Sequence, residues 1–96
     1  MKAELRFYIK DTIQGRYVLE LSIHDVGKSK QYPDGIKYGL ICFDTKTKKR
    51  VLMDNHHPKG PHIHIDNDES DYAYTSDEKL IDDFNKLVLQ HLGVKI

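Results

Sequence analysis

The residues best able to move protons or hold a metal crowd into one stretch, Asp54-Asn55-His56-His57-Pro58-Lys59-Gly60-Pro61-His62-Ile63-His64-Ile65-Asp66, where four of six histidines fall within nine residues. If 62–66 runs as a strand, Ile63 and Ile65 share one face and their burial sets the register. His62, His64 and Asp66 then share the opposite face, lining a surface or a cleft. Residues two apart on a strand lie about 6.6 Å apart along it, and that spacing suits three roles. Two imidazoles can flank a scissile phosphate, one accepting a proton and the other giving one, because imidazole titrates near neutral pH. Lys59 would then neutralise charge building on the phosphate, and Asp54 would orient a ring. The same pair can converge on a divalent metal with Asp66, Asp54 or Glu69 as a third ligand. In the third role they are plain polar residues on the outer face of a sheet.

The neighbourhood favours chemistry. A stiff Pro58-Lys59-Gly60-Pro61 turn runs straight into the histidine strand, and its glycine lets a ligand approach the backbone closely. The remaining candidates have simpler explanations. His56 and His57 fit a polar loop tip, while His24 at a strand end and His91 on a helix stripe fit structural positions. Tyr72 and Tyr74 could stack a nucleobase, although sheet packing also accounts for them. Lys46, Lys48, Lys49 and Arg50 could contact phosphates or simply form a soluble turn. Cys42, inside an apolar strand, reads as a small buried filler.

The elements that must position these residues follow from periodicity. Ala3, Leu5, Phe7 and Ile9 alternate with Glu4, Arg6 and Tyr8, which is the period of a half-buried strand. Gly15 marks a turn, and Tyr17, Leu19, Leu21 and Ile23 repeat the pattern, so an antiparallel hairpin is expected. Residues 27–35 form a polar loop ending in the turn Pro33-Asp34-Gly35. Tyr38 to Phe43 is apolar almost throughout, as expected of a central strand covered on both faces. A turn at 45–49 leads to a short strand at Arg50 to Asp54, a loop at 55–61, a strand at His62 to Asp66 and another at Tyr72 to Tyr74. Leu80, Ile81, Phe84, Leu87, Val88 and His91 then recur at helical spacing. Thr75 with Glu78 matches a capping box, so the helix starts near Thr75 or Ser76, and Gly93 suits its end. The expected fold is α+β, a mostly antiparallel sheet of five or six strands with one C-terminal helix packed on a face.

The totals agree with one folded domain over residues 1–96. Hydrophobic residues make up 39% and charged residues 31% of the chain, which excludes wholesale disorder. No apolar run approaches the roughly 20 residues that cross a bilayer, so no membrane association is expected. Met1 to Leu5 alternates polar and apolar and lacks the core of a signal peptide. A single cysteine excludes an internal disulfide and fits a reducing compartment, the cytoplasm. Net charge is zero, yet residues 1–60 hold twelve Lys/Arg against seven Asp/Glu and residues 61–96 hold three against eight. This asymmetry can present a cationic patch to a polyanion or disappear into a mixed surface. The scattered basic residues favour the mixed surface.

Two segments, Arg50-Val51-Leu52-Met53-Asp54-Asn55 and Lys59-Gly60-Pro61-His62-Ile63-His64, resemble the signature of the TumE family of small prokaryotic toxin–antitoxin proteins. The likeness continues through Tyr72-Ala73-Tyr74-Thr75-Ser76 into Leu80-Ile81-Asp82-Asp83-Phe84, and Lys37-Tyr38-Gly39-Leu40 also fits, covering about residues 36–88. The chain departs from it at Met53, where family members often carry an aromatic residue, and at Ile63, where they often carry a basic one. The resemblance implies a toxin encoded beside a helix-turn-helix antitoxin and acting on RNA or another nucleic acid, without implying a mechanism.

Residues and resemblance together suggest a metal-independent endoribonuclease that needs no cofactor. In it His62 and His64 act as general base and acid, Lys59 stabilises charge, and Asp54 and Asn55 orient the site. Lys48, Lys49 and Arg50 hold the nucleic acid. A metal-binding module is the second expectation: His62, His64 and Glu69 look like the first cupin motif, although Ser76 stands where that motif has a glycine and the strands are too few for a closed barrel. The third is a non-catalytic binding protein whose sheet engages an antitoxin or a second copy of itself, a homodimer that covers a free sheet edge.

Overall fold

The computed structural model describes residues 3–96; Met1 and Lys2, part of the alternating N-terminus read above, lie outside the described residues. Period-two alternation yields six strands, β1 (Glu4–Ile13), β2 (Tyr17–Asp25), β3 (Ile36–Asp44), β4 (Arg50–Asp54), β5 (His62–Ile65) and β6 (Asp68–Asp71), followed by α1 (Asp77–Leu92). They form one antiparallel sheet in sequence order, because each strand returns beside its predecessor through a short connection. The expected α+β fold, a sheet of five or six strands with one C-terminal helix, is what the chain forms, with six strands.

One face of the sheet makes the core. Leu21, Leu40, Met53 and Ile63 line up across β2 to β5, and Leu19, Cys42, Val51 and Ile65 form the next row. Leu80, Phe84 and Val88 of α1 are buried against them, each contributing roughly 1.5–3 kcal/mol of transfer free energy. Burial pushes the Cys42 thiol up to about 11, as expected of an inert filler. Ser76 caps α1, its hydroxyl accepting from the Lys79 amide, and Gly93 ends the helix at φ 72. The cap is therefore Ser76, the second of the two residues expected.

The strand expected at Tyr72 to Tyr74 does not form: the sixth strand is Asp68–Asp71, and the tyrosines follow it in a segment without regular secondary structure, where the Tyr72 amide donates to the Pro61 carbonyl at 3.1 Å. The Tyr72 hydroxyl donates to Asp83 at 2.7 Å and that of Tyr74 to Asp77 at 2.6 Å, while Tyr74 stacks on Tyr38 at 6.0 Å. They fasten the helix to the sheet. Arg6 adds an ion pair to Asp77 at 2.9 Å. It reaches the helix because a bulge between Leu5 and Phe7 breaks the alternation of β1. The bulge also separates residues expected on one face: Phe7 and Ile9 pair with Ile23 and Leu21, whereas Leu5 pairs with His24 and is 59% exposed. β3 is central but covered on one face only, with Gly39, Ile41 and Phe43 half-buried on the other. That uncovered face carries the histidines.

Candidate functional site

The loop 55–61 joins β4 to β5 so that Asp54 and His62 become cross-strand partners on the face away from α1. His64 lies two residues on, opposite Leu52 and Glu69. Ile63 and Ile65, partly buried against the core beside Met53 and Val51, take the helix side of the sheet, which sets both imidazoles together on the other face. The rings meet edge-on, with centroids 4.6 Å apart and planes at 81°.

His62 is the more enclosed of the two, at 5% exposure, and it is enclosed by polar groups. Gly60 adopts φ 75, a left-handed conformation that favours glycine, and its carbonyl oxygen lies 2.7 Å from His62 Nδ1. A carbonyl only accepts, so Nδ1 carries a hydrogen. Nε2 faces Asp54 Oδ1 at 3.1 Å. With oxygens at both nitrogens, the ring is satisfied when Nε2 also holds a cation, either a proton or a metal in its place. Glu69 Oε1 lies 4.0 Å from His62 Nε2 and 3.8 Å from His64 Nε2, and Lys59 Nζ contacts the same oxygen at 2.6 Å. The Lys59 ammonium holds the Glu69 carboxyl below the ordinary carboxylate range. This exposed pair adds little stability, so its effect is on charge at the site.

His62, His64, Lys59 and Asp54 are therefore brought together. Asn55 is not part of that group. It is buried, with Oδ1 accepting from the Tyr38 amide and Nδ2 donating to the Ile36 carbonyl, both at 2.8 Å. Asp66 was expected beside the histidines, but β5 ends at Ile65 and Asp66 enters the turn to β6 at φ 55. Its carboxylate accepts from the Arg50 amide at 3.0 Å. Lys48, Lys49 and Arg50 line a separate cavity of about 440 Å³ with Phe43, Asp66 and Asn67. That cavity sits at the far end of β4, about 13 Å from Asp54 at strand rise.

A metal is geometrically admissible. Ligand atoms of His62, His64 and Glu69 all lie within 4.8 Å of one another, and the Gly60 contact on the far nitrogen of His62 is the kind that orients a metal-bound imidazole. Ser22, Lys37 and Gly39, given no site role from the sequence, join Asp54 around a cavity of about 540 Å³ on the same sheet face, together with His24 and His56, which the sequence placed at a strand end and a loop tip. The available signal was a glycine inside an otherwise apolar strand.

Among the described residues, no helix is long and apolar enough to cross a membrane. Compared with known families, residues 1–92 match the family model described as toxin TumE. No curated protein and no solved structure matches the chain.

Proposed function

This chain belongs to the TumE toxin family, and from that premise we propose that it acts on RNA as an endoribonuclease through the His62–His64 pair. Membership makes it the toxin of a toxin–antitoxin system with an antitoxin as its partner; the chemistry is our reading. The observation that carries it is the edge-on histidine pair at 4.6 Å, flanked by Asp54 and by the Lys59–Glu69 pair on an uncovered sheet face. The roles are the reverse of those expected from the sequence: His64, the more open ring, removes the proton from a 2′-hydroxyl. The 2′-oxygen attacks phosphorus, the bond from phosphorus to the 5′-oxygen breaks, and His62 delivers a proton to that oxygen, leaving a 2′,3′-cyclic phosphate. Lys59 stabilises the charge on the phosphoryl oxygens. Asp54 orients His62, and Asn55 contributes by fixing the strand end that carries Asp54. Lys48, Lys49 and Arg50 hold the RNA farther along. The toxin works in the cytoplasm, its antitoxin is a helix-turn-helix protein, and pairing of the free β1 edge supplies a homodimer.

The test is the product. RNA cleaved by the purified protein should end in a 2′,3′-cyclic phosphate, and a substrate with deoxyribose at the cleavage position should be resistant. Cleavage of the deoxy substrate would remove the 2′-hydroxyl, and this mechanism, from the reaction.

A metal-dependent reading is favoured by one observation, the 4.8 Å cluster of His62, His64 and Glu69. The Lys59 ammonium at Glu69 already supplies a cation there, which supports the metal-free reading over it. Calorimetric titration of the metal-stripped, untagged protein with zinc and manganese separates them. Micromolar binding lost in His64→Ala supports the metal, and no binding removes it.

A further inference from the structure

The row of residues that contains His62 continues across the sheet. On the outer face Tyr8, Ser22, Gly39, Asp54 and His62 are successive cross-strand partners. Adjacent strands lie about 4.8 Å apart, so Gly39 sits roughly 10 Å from His62. The cavity of about 540 Å³ opens over Gly39, a size suited to a small organic ligand.

Gly39 is the informative residue. A glycine inside a strand weakens it, through backbone entropy and a missing packing group. Here neither usual reason for a glycine applies. Its φ is not among the positive values of the chain, and a Cβ built on it would meet only Ser22 Oγ, at 4.0 Å. The strand could carry a side chain, and the space such a side chain would fill is the floor of the cavity. The lining is more apolar than polar, with Ala3 and Val26 among it, and its nitrogen donors are the cross-strand partners His24 and Lys37 together with His56 beyond Asp54. Tyr8 ends the row, half exposed, with its hydroxyl held by Glu20 at 2.8 Å and its ring free to stack.

We propose that this cavity is a nucleotide subsite in which a base of single-stranded RNA lies on the bare backbone of Gly39 while Lys37, His24 and His56 engage the adjoining phosphate. It deepens the endoribonuclease reading and rests on it. A separation of roughly 10 Å, two strand spacings, fits a substrate that spans from the histidine pair to the neighbouring nucleotide.

The experiment uses the full chain and a five-nucleotide single-stranded RNA in which the cleavable ribose is replaced by deoxyribose, so that binding is read without turnover. Gly39→Val should keep or raise the melting temperature and weaken binding at least tenfold, with Gly39→Ala in between. In the wild type, titration should shift the backbone amide signals of Ser22, Lys37 and Gly39 more than those of Leu89 and Gln90 on α1, which packs on the opposite side of the sheet. Unchanged affinity in a folded Gly39→Val overturns the subsite. So do unmoved signals at Ser22, Lys37 and Gly39, which stand as the decisive readout if Gly39→Val does not fold. Cleavage of all-ribose RNA is scored separately. RNA binding over Gly39 without cleavage by wild type keeps the subsite and removes the nuclease. Cleavage undiminished in Gly39→Val keeps the nuclease and removes the subsite.

Discussion

Replacing Asn55 with alanine separates a group that builds the site from a group that works in it. The backbone ladder between β3 and β4 stops at Gly39 and Asp54, and Asn55 extends it with its side chain. One amide end accepts from the Tyr38 N–H and the other donates to the Ile36 carbonyl, at 2.8 Å each. Ile36, Tyr38 and Asn55 are all buried, so alanine strands one backbone donor and one acceptor away from water. Each buried group left unpaired costs about 1–3 kcal/mol, which places the loss near 3–4 kcal/mol. Total stabilities of small domains are about 5–15 kcal/mol. At roughly 4–8 °C per kcal/mol for this chain length, the melting temperature should fall by about 12–32 °C. Asn55→Asp keeps the acceptor for Tyr38 but sets a carboxylate against the Ile36 carbonyl. It should be at least as damaging at neutral pH and partly relieved by acid, when the protonated carboxyl can donate again. Thermal and urea unfolding followed by circular dichroism measure both variants. A loss under about 1 kcal/mol, together with a hundredfold fall in RNA cleavage by the folded fraction, would refute this reasoning and place Asn55 on the substrate.

Other perturbations probe other parts of the molecule. Asp44 accepts two bonds from Arg16, both at 2.8 Å, and others from the turn amides, and the guanidinium holds its carboxyl far below the ordinary range. The folded state therefore resists protonating it, so the stability it adds is present above about pH 4 and lost as pH falls further. Asp44→Asn should be less stable near pH 7 and show a flatter acid limb in a plot of melting temperature against pH; an unchanged limb contradicts the assignment. The Tyr74 hydroxyl is pushed up to about 12 by burial and by its bond to Asp77, so the stability it adds is present below about pH 10 and lost above. Tyr74→Phe should flatten the alkaline limb, and an unaltered limb would count against that bond. Replacing Lys48, Lys49 and Arg50 with glutamine should lower the salt dependence of RNA binding by about two in log–log slope, at roughly 0.7 for each phosphate no longer neutralised; an unchanged slope removes that end of the sheet from the interface. Lys59→Ala should leave the melting temperature within a few degrees, because its ion pair is exposed and so adds little stability, while slowing cleavage at least tenfold. Equal rates would exclude its role at the phosphate.

Strand alternation carried the main geometric expectation. Ile63 and Ile65 face the core, so His62 and His64 emerge on the other face, and the helical stripe Leu80–Phe84–Val88 identified the covering element. Features set by register between separate segments were not legible. The burial of His62 depends on which residue of β4 lies opposite it and on where the Gly60 carbonyl points, and neither is encoded locally. The β1 bulge, which moves Leu5 to the outer face and gives Arg6 to Asp77, is invisible to a period-two pattern. β6, Asp-Glu-Ser-Asp, has no apolar alternation, so the nearby tyrosines drew the strand assignment although their hydroxyls belong to the helix. Asp66 was readable in hindsight: Asp-Asn between two strands is turn chemistry of the hairpin kind, and it takes Asp66 out of the histidine face. Asn55 looked catalytic because it neighbours Asp54 in sequence, while its amide completes a ladder with residues 17 and 19 positions away.

The most direct measurement is cleavage of single-stranded RNA by the purified protein in excess EDTA, compared with His62→Ala, His64→Ala and the double variant at matched folded fraction. Loss of general acid–base groups on this scale is worth about 10²–10⁴ in rate. The account predicts cleavage by wild type that falls by at least a hundredfold in His64→Ala, with the double variant no worse than ten times lower again. Equal rates in wild type and the double variant, or no cleavage by wild type, would contradict it.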